Sequence, residues 1–213
     1  MIDLNFLFAY FDELFPNAHC ELNYSTDYEL LIAIMLSSQT TDKAVNKATA
    51  LLFKHFPTID DLKNASIYDI EKDIKFLGMS SKKAKNIHEI VSLLCEKYNY
   101  VVPKDRDILL TFPGVGNKTR NCFLAEMYHL PYLAIDTHVN RISKRLNLVK
   151  ESDDPLTIEK KLQKILPQDN LIKINHQFIL FGRNICKAVS PKCETCKLTN
   201  SCKYFISKNN VSR

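Results

Sequence analysis

The sequence predicts an all-α protein, and three observations carry that reading. Apolar residues recur at the spacing of one helix face through most of the chain. Stretches with the strict alternation of a half-buried strand are scarce. Helix-start signals open some of the periodic stretches, notably Thr26 with Glu29, and Asp136. A chain of 213 residues is long enough for one or two small domains with a real hydrophobic core.

The elements follow in order. In "MIDLNFLFAYFDELF", Leu4, Leu7, Phe8, Phe11, Leu14 and Phe15 fall at helical spacing, which predicts an amphipathic core helix. Asp3, Asp12 and Glu13, with no basic start, argue against a targeting segment. Thr26 and Glu29 form a capping box before "LLIAIMLSS", a helix apolar all round and therefore buried. Its apolar run, Leu30 to Leu36, is far too short to span a membrane. A helix over 42–55 follows, with Val45, Ala48, Leu51 and Leu52 as its buried stripe. Further helices are expected over 59–65, 67–75, 81–98 and 106–111. A tight turn then leads into a helix over 117–129. "PYLAID" reads as short and extended. "THVNRISKRL" is helical with Asp136 as N-cap, and helices over 156–166 and 170–184 complete the pattern. No repeat, low-complexity tract or flexible linker interrupts it.

The net charge of +5 is unevenly placed. From Cys186 to Arg213 there are six Lys/Arg and one acid, Glu194, while the rest of the chain holds 23 of each sign. A basic patch suggests an anionic partner such as nucleic acid. A solvated tail is the plainer reading when nothing else points to DNA.

Seven cysteines occur. Cys20, Cys95 and Cys122 lie scattered in apolar helical contexts and read as small buried hydrophobes. Cys186, Cys193, Cys196 and Cys202 are clustered as C-x6-C-x2-C-x5-C. Without a secretory signal, a disulfide set is disfavoured and a metal site is implied. Zinc sites usually use two short paired spacings, and only one is present. An iron–sulfur cube accepts staggered ligands from one short loop, so a cluster is favoured over zinc. Lys187, Lys192, Lys197 and Lys203 stand beside the ligands. They are expected to offset the cluster's negative charge and present a cationic rim to a phosphate backbone.

The turn "FPGVGNKTRNC" carries the other chemistry. P-G-V-G between two helices is a helix-hairpin-helix turn. Gly114 and Gly116 let the backbone turn tightly and approach a phosphate, which amide hydrogens and the next helix start can bind without reading sequence. Lys118 sits in the first turn of that next helix, where the helix end carries roughly +0.5 of an elementary charge and disfavours a cation. It reads either as a further phosphate contact or as a nucleophile. Attack needs the neutral amine, and the helix end and partial burial both favour that form. Asp136 reads either as a plain N-cap or as a carboxylate kept ionised by backbone amides. The second role suits cleavage of an N-glycosidic bond, in which positive charge develops on the sugar.

Together "FPGVGNKT", "IDTHVNRISKRL" and C-x6-C-x2-C-x5-C resemble endonuclease III, the iron–sulfur branch of the helix-hairpin-helix DNA glycosylases. "LLIAIMLSSQTTDKAVNKAT" resembles the same family, and the match spans nearly the whole chain. The resemblance implies two helical domains. These are a six-helix barrel with the hairpin over 22–130, and a 4Fe–4S cluster domain built from 1–21 and 131–213. It implies a bifunctional DNA glycosylase and AP lyase of base excision repair, acting on duplex DNA with an oxidised pyrimidine or an abasic site. The sequence shows no exposed heptad seam and no signal peptide, so a monomer in the cytoplasm, at the nucleoid, is expected. Lys118 and Asp136 fall on the catalytic lysine and aspartate, and the four clustered cysteines on the 4Fe–4S ligands. Gln39 matches the residue that fills the gap left by an extruded base, and Met79 stands where a second, apolar wedge is expected. Gly114, Val115, Gly116, Asn117 and Thr119 fall on the DNA-binding hairpin, and His138 on a D-T-H motif near DNA. Helix-start packing is the plainer role for His138. The sequence departs from the usual G-R-K-T-A at Asn117 and Arg120, and Leu109 and Leu110 stand where relatives can have an acid. Rival readings are a monofunctional glycosylase, a non-catalytic DNA-binding module with structural zinc, and an electron carrier.

Overall fold

The computed structural model describes residues 2–211, with side chains as far as 209. Met1 and Arg213, the outer bounds of the predicted cluster domain, lie outside the described residues. So does one cation of the C-terminal basic run, which is the same Arg213. Among the described residues every regular element is helical, and no helix is long and apolar enough to cross a membrane. The chain divides into two compact units, Glu21–Tyr128 and the segments up to Cys20 and from His129 onward.

The chain opens with α1 (Leu4–Leu14). The Glu21–Tyr128 unit holds α2 (Asp27–Leu36), α3 (Asp42–His55), α4 (Ile59–Asn64), α5 (Ile67–Ile74), α6 (Ser80–Lys97), α7 (Arg106–Leu110) and α8 (Asn117–Tyr128). The centre of this unit is α2, in which every residue from Leu30 to Leu36 is at most 3% exposed. Helices α3, α6 and α8 pack around it, as a helix apolar on all sides requires. Its start differs from the expected box. Thr26 accepts from the Glu29 N–H, but the Glu29 carboxylate takes the N–H of Ser25 at 2.6 Å instead of that of Thr26. The complete reciprocal box forms at Thr58 and Asp61, opening α4.

The buried stripe of α3 is Val45, Ala48, Thr49 and Leu52, and Leu51 is 37% exposed. This corrects the expected stripe. The residues 45, 48, 49 and 52 follow the i, i+3, i+4, i+7 rule, and position 51 falls off that face.

The other unit contains α1, α9 (Thr137–Arg145), α10 (Pro155–Ile165), α11 (Leu171–Asn184) and α12 (Lys203–Val211). Phe11 is fully buried, with ring centroids 5.1 Å from both Phe178 and Phe181. Contacts of this kind add about 0.5–1.5 kcal/mol each beyond area burial. Asp12 ties α1 to α11 by accepting from Lys173 Nζ at 2.6 Å and Gln177 Nε2 at 2.7 Å. These bonds hold its carboxyl below the usual carboxylate range, Lys173 contributing most. "PYLAID" forms neither helix nor strand, and the Asp136 N–H closes a tight turn on the Ala134 C=O at 3.0 Å. The buried Asn175 side chain takes the Ala134 N–H and donates to the Ala134 C=O, satisfying a backbone that has no helix of its own.

Two features were not expected. The helix predicted from Asn170 starts at Leu171, after a 3-10 turn over Gln168–Asn170. Helix α12 was not predicted, because its apolar stripe is weak and Ile206 is 43% exposed. Cys20, Cys95 and Cys122 are half-buried, less enclosed than their contexts suggested.

Candidate active site and cysteine cavity

Leu109 is the buried residue of α7, while Leu110 beside it is 39% exposed. The turn that follows is anchored from within by Phe112 and Val115, 2% and 6% exposed. The Val115 N–H donates to the Phe112 C=O at 3.1 Å. Gly114 has φ +76°, and a Cβ there would collide with the Asn86 amide and come within 3.1 Å of Met35 Cγ. A Cβ on Gly116 would meet nothing within 4 Å. Only Gly114 is therefore required by the turn itself, and Gly116 borders open space. Gly116 leaves exposed backbone instead. Gly114→Ala is expected to lower stability by about 1–3 kcal/mol through strain and overpacking. Gly116→Ala should stay within about 0.5 kcal/mol, as at an open surface position. Thermal unfolding of the two variants checks this.

Asn117 is exposed at the head of α8. Val115 and Thr119 face inward; the Val115 N–H is taken by the Phe112 C=O, so of the two it is Thr119, in the first turn of α8, whose backbone N–H can be offered to a phosphate. Lys118 is half-buried, and its Nζ donates to Ser37 Oγ at 3.2 Å. The Ser37 hydroxyl donates in turn to the Ile34 C=O at 2.7 Å, so its oxygen lone pairs are turned to the amine. No acid lies in the first turn of α8. Arg120 is 5% exposed and donates Nε–H to Asn121 Oδ1 at 3.1 Å, the oxygen that also takes Arg106 Nη2 at 3.0 Å. The departure at position 120 is thus bonded within its own helix.

Ser37 also begins the turn that carries Gln39. Gln39 is exposed with φ +55°, and Met79 is 52% exposed with φ +59° at the N-cap of α6. Left-handed backbone is uncommon outside glycine, and both residues expected to wedge the duplex adopt it.

Asp136 belongs to the other unit. Its Oδ1 accepts from the N–H groups of His138 and Val139, both at 2.8 Å, and caps α9. Among the described residues no hydrogen bond reaches Oδ2. One oxygen therefore holds the helix, and the other takes no part in the cap. His138 is half-buried against Gly182, where an added Cβ would lie 2.7 Å from Nδ1. Its Nδ1 faces Arg141 Nη2 at 3.1 Å. Burial, with Arg141 and Arg183 adding, holds its pKa below the usual histidine value, against the opposing Asp136 charge and a hydrogen bond to the Gly182 backbone.

Cys186, Cys193, Cys196 and Cys202 line one cavity with apolar walls from Leu146, Phe181, Ile185 and Phe205. Two 3-10 turns, Cys193–Thr195 and Thr199–Ser201, bend the chain around it. Burial, with the neighbouring thiols adding, raises the pKa of Cys193 and Cys202 and pushes Cys196 up to about 11. Among the described residues no group of three or more His, Cys, Asp or Glu side chains forms a site for a single metal ion.

The cation nearest the thiols is not one of the four lysines. Arg145 Nη1 lies 3.3 Å from Cys186 Sγ, donates to the Lys187 C=O at 2.7 Å, and its guanidinium stacks over Tyr204 at 4.1 Å. Arg141 donates Nε–H and Nη2–H to the Cys186 C=O. The sequence contained this signal, since His138, Arg141 and Arg145 stand at i, i+3 and i+7 on one face of α9. Lys197 is bonded to Glu13 at 2.6 Å, so its charge is neutralised by α1. Lys187, Lys192 and Lys203 are exposed.

A tight glycine turn feeding a helix that bears a lysine, in an all-helical chain, defines the class of helix-hairpin-helix base excision repair proteins. Accordingly, residues 32–168 match the family model "HhH-GPD superfamily base excision DNA repair protein". Endonuclease III of Bacillus subtilis (strain 168) is 40% identical over 191 residues, covering 90% of this chain and 87% of the relative. Endonuclease III of Escherichia coli (strain K12) is 37% identical over 189 residues, 89% of each. A trapped endonuclease III–DNA covalent intermediate superimposes with a TM-score of 0.92 at 40% identity, covering 98% of this chain and 100% of that one. A non-covalent endonuclease III–DNA complex gives the same TM-score at 39% identity, covering 99% and 100%. The chain belongs to the endonuclease III family of that superfamily. It is a DNA glycosylase of base excision repair with AP lyase activity.

Proposed function

We propose that Lys118 is the nucleophile of this reaction and Asp136 its electrostatic partner, acting on oxidised pyrimidines and abasic sites in duplex DNA. The observation that carries the reading is the Lys118 amine, at a helix end without an acid in its first turn and directed by the neutral Ser37 hydroxyl. Gly116, Asn117 and the backbone N–H of Thr119 bind phosphate, with Gly114 setting the turn and Val115 anchoring it from within. The target base leaves the stack, and Gln39 and Met79 fill the space it vacates, with His138 near the DNA. The Lys118 nitrogen forms a bond to C1′ as the N-glycosidic bond breaks and the base departs with its electron pair and a proton. The free Oδ2 of Asp136 stabilises the positive sugar. The C1′–O4′ bond of the sugar ring then opens, with O4′ taking up a proton, to give an imine that acidifies the 2′ hydrogen; loss of that hydrogen as a proton expels the 3′ phosphate. A simple glycosylase would instead pass the sugar to water and leave the strand intact.

The four clustered cysteines fit a 4Fe–4S cluster by donor chemistry, as thiols around an apolar cavity with the Arg145 guanidinium beside one sulfur. Bound there, the cluster staples a segment whose own core is small. It belongs to the domain proposed for 1–21 and 131–213, and residues 22–130 form the barrel domain. The protein works as a monomer in the cytoplasm, at the nucleoid.

A duplex carrying thymine glycol tests the reading. The expected product is a strand cut 3′ to the lesion and ending in an unsaturated aldehyde. An intact strand with an abasic site would point to the monofunctional rival. Purified protein should show broad brown absorption that is lost in Cys196→Ser, whereas a colourless protein containing zinc would overturn the cluster assignment.

A further inference from the structure

Lys83, on α6, is a buried cation that the chemistry above does not use. It is only 4% exposed. Burying an ammonium is costly unless its hydrogens find partners, and burial lowers its pKa from the ordinary lysine value. Its Nζ donates to the Ser38 C=O and to Thr40 Oγ1, both at 3.1 Å. Those two residues flank Gln39. The Lys83 backbone N–H donates to the Met79 C=O at 3.0 Å. One residue thus grips the turn that presents Gln39 and closes the first helical bond behind Met79.

The surroundings fit that task. Gln39 and Met79 both hold left-handed backbone, which costs on the order of 1 kcal/mol or more and persists only where neighbours enforce it. Thr40 Oγ1 also donates to the Ser38 C=O at 3.2 Å, closing the turn on itself. The Glu71 carboxylate takes the hydroxyls of Ser80 and Ser81, the two residues after Met79. An apolar side chain at position 83 would fill the same space without a desolvation cost, so the ammonium is explained by what it holds.

We propose that Lys83 is a positioning residue for base extrusion, locking the Gln39 turn to the start of α6 so that the two wedging side chains enter the duplex as one unit. This rests on the roles proposed above for Gln39 and Met79.

Lys83→Met and the wild-type protein are compared on two substrates under single turnover. One is a duplex with thymine glycol, which demands extrusion. The other is a single-stranded oligonucleotide with an abasic site, which does not. Excision from the duplex is expected to fall roughly tenfold to a hundredfold, with lyase activity on the single strand within about twofold of wild type. The fluorescence rise of 2-aminopurine opposite the lesion should slow in parallel. Thr40→Val removes one acceptor while keeping the lysine, and should give the same pattern to a smaller degree even if Lys83→Met does not fold. An equal fall on both substrates, or no fall on either, overturns the proposal. A wild-type protein inert on both substrates would instead withdraw the repair reading, and this inference with it.

Discussion

Asp136→Asn is expected to cut base release by roughly 10²- to 10³-fold, the loss typical when one group stabilising transition-state charge is removed. The structure makes this substitution unusually clean. Asp136 caps α9 through Oδ1 alone, taking two backbone N–H groups at 2.8 Å. An asparagine keeps that oxygen and exchanges only Oδ2 for an amide. The cap should therefore survive, and thermal unfolding should move by no more than the few tenths of a kcal/mol that separate good N-caps. Single-turnover excision kinetics with a parallel melt and a DNA-binding titration check this. If binding and stability collapse together with activity, Asp136 is a cap and little more.

Lys118→Ala is the second large effect. Removal of a covalent nucleophile should reduce strand cleavage by roughly 10⁴- to 10⁶-fold. The folded state loses one hydrogen bond, to Ser37 at 3.2 Å, worth about 1 kcal/mol. It also loses a cation from a helix amino end, which offsets part of that cost. The variant should fold, bind abasic duplex and fail to cut it. Cleavage assays at enzyme excess, with binding measured on the same duplex, check both halves of the expectation.

Much of the fold was legible because it rests on local periodicity. The run from Leu30 to Leu36 had to be buried on every side, and it is. Asp136 read as an N-cap from its place before a helical stripe, and it is one. What escaped the sequence depends on distant partners. Ser37 is 81 residues from Lys118, and no local pattern reports such a pair. The assignment of counter-charge to four lysines followed sequence proximity to the cysteines. Tertiary structure brings Arg145 from α9 to Cys186 instead, and gives Lys197 to Glu13. Helix α12 follows a segment ordered by its turns and cavity walls, without a strong stripe of its own. The left-handed backbone at Gln39 and Met79 was equally hidden, since neither residue type announces it.

The direct test of the central claim is to find the atom that bonds to the sugar. Purified protein is mixed with a thymine glycol duplex, reduced with borohydride and digested, and the peptide bearing the sugar remnant is sequenced by mass spectrometry. The remnant is expected on the Lys118 side chain and nowhere else. A stable adduct on another amine, or strand cleavage with no reducible adduct at all, would contradict the assignment.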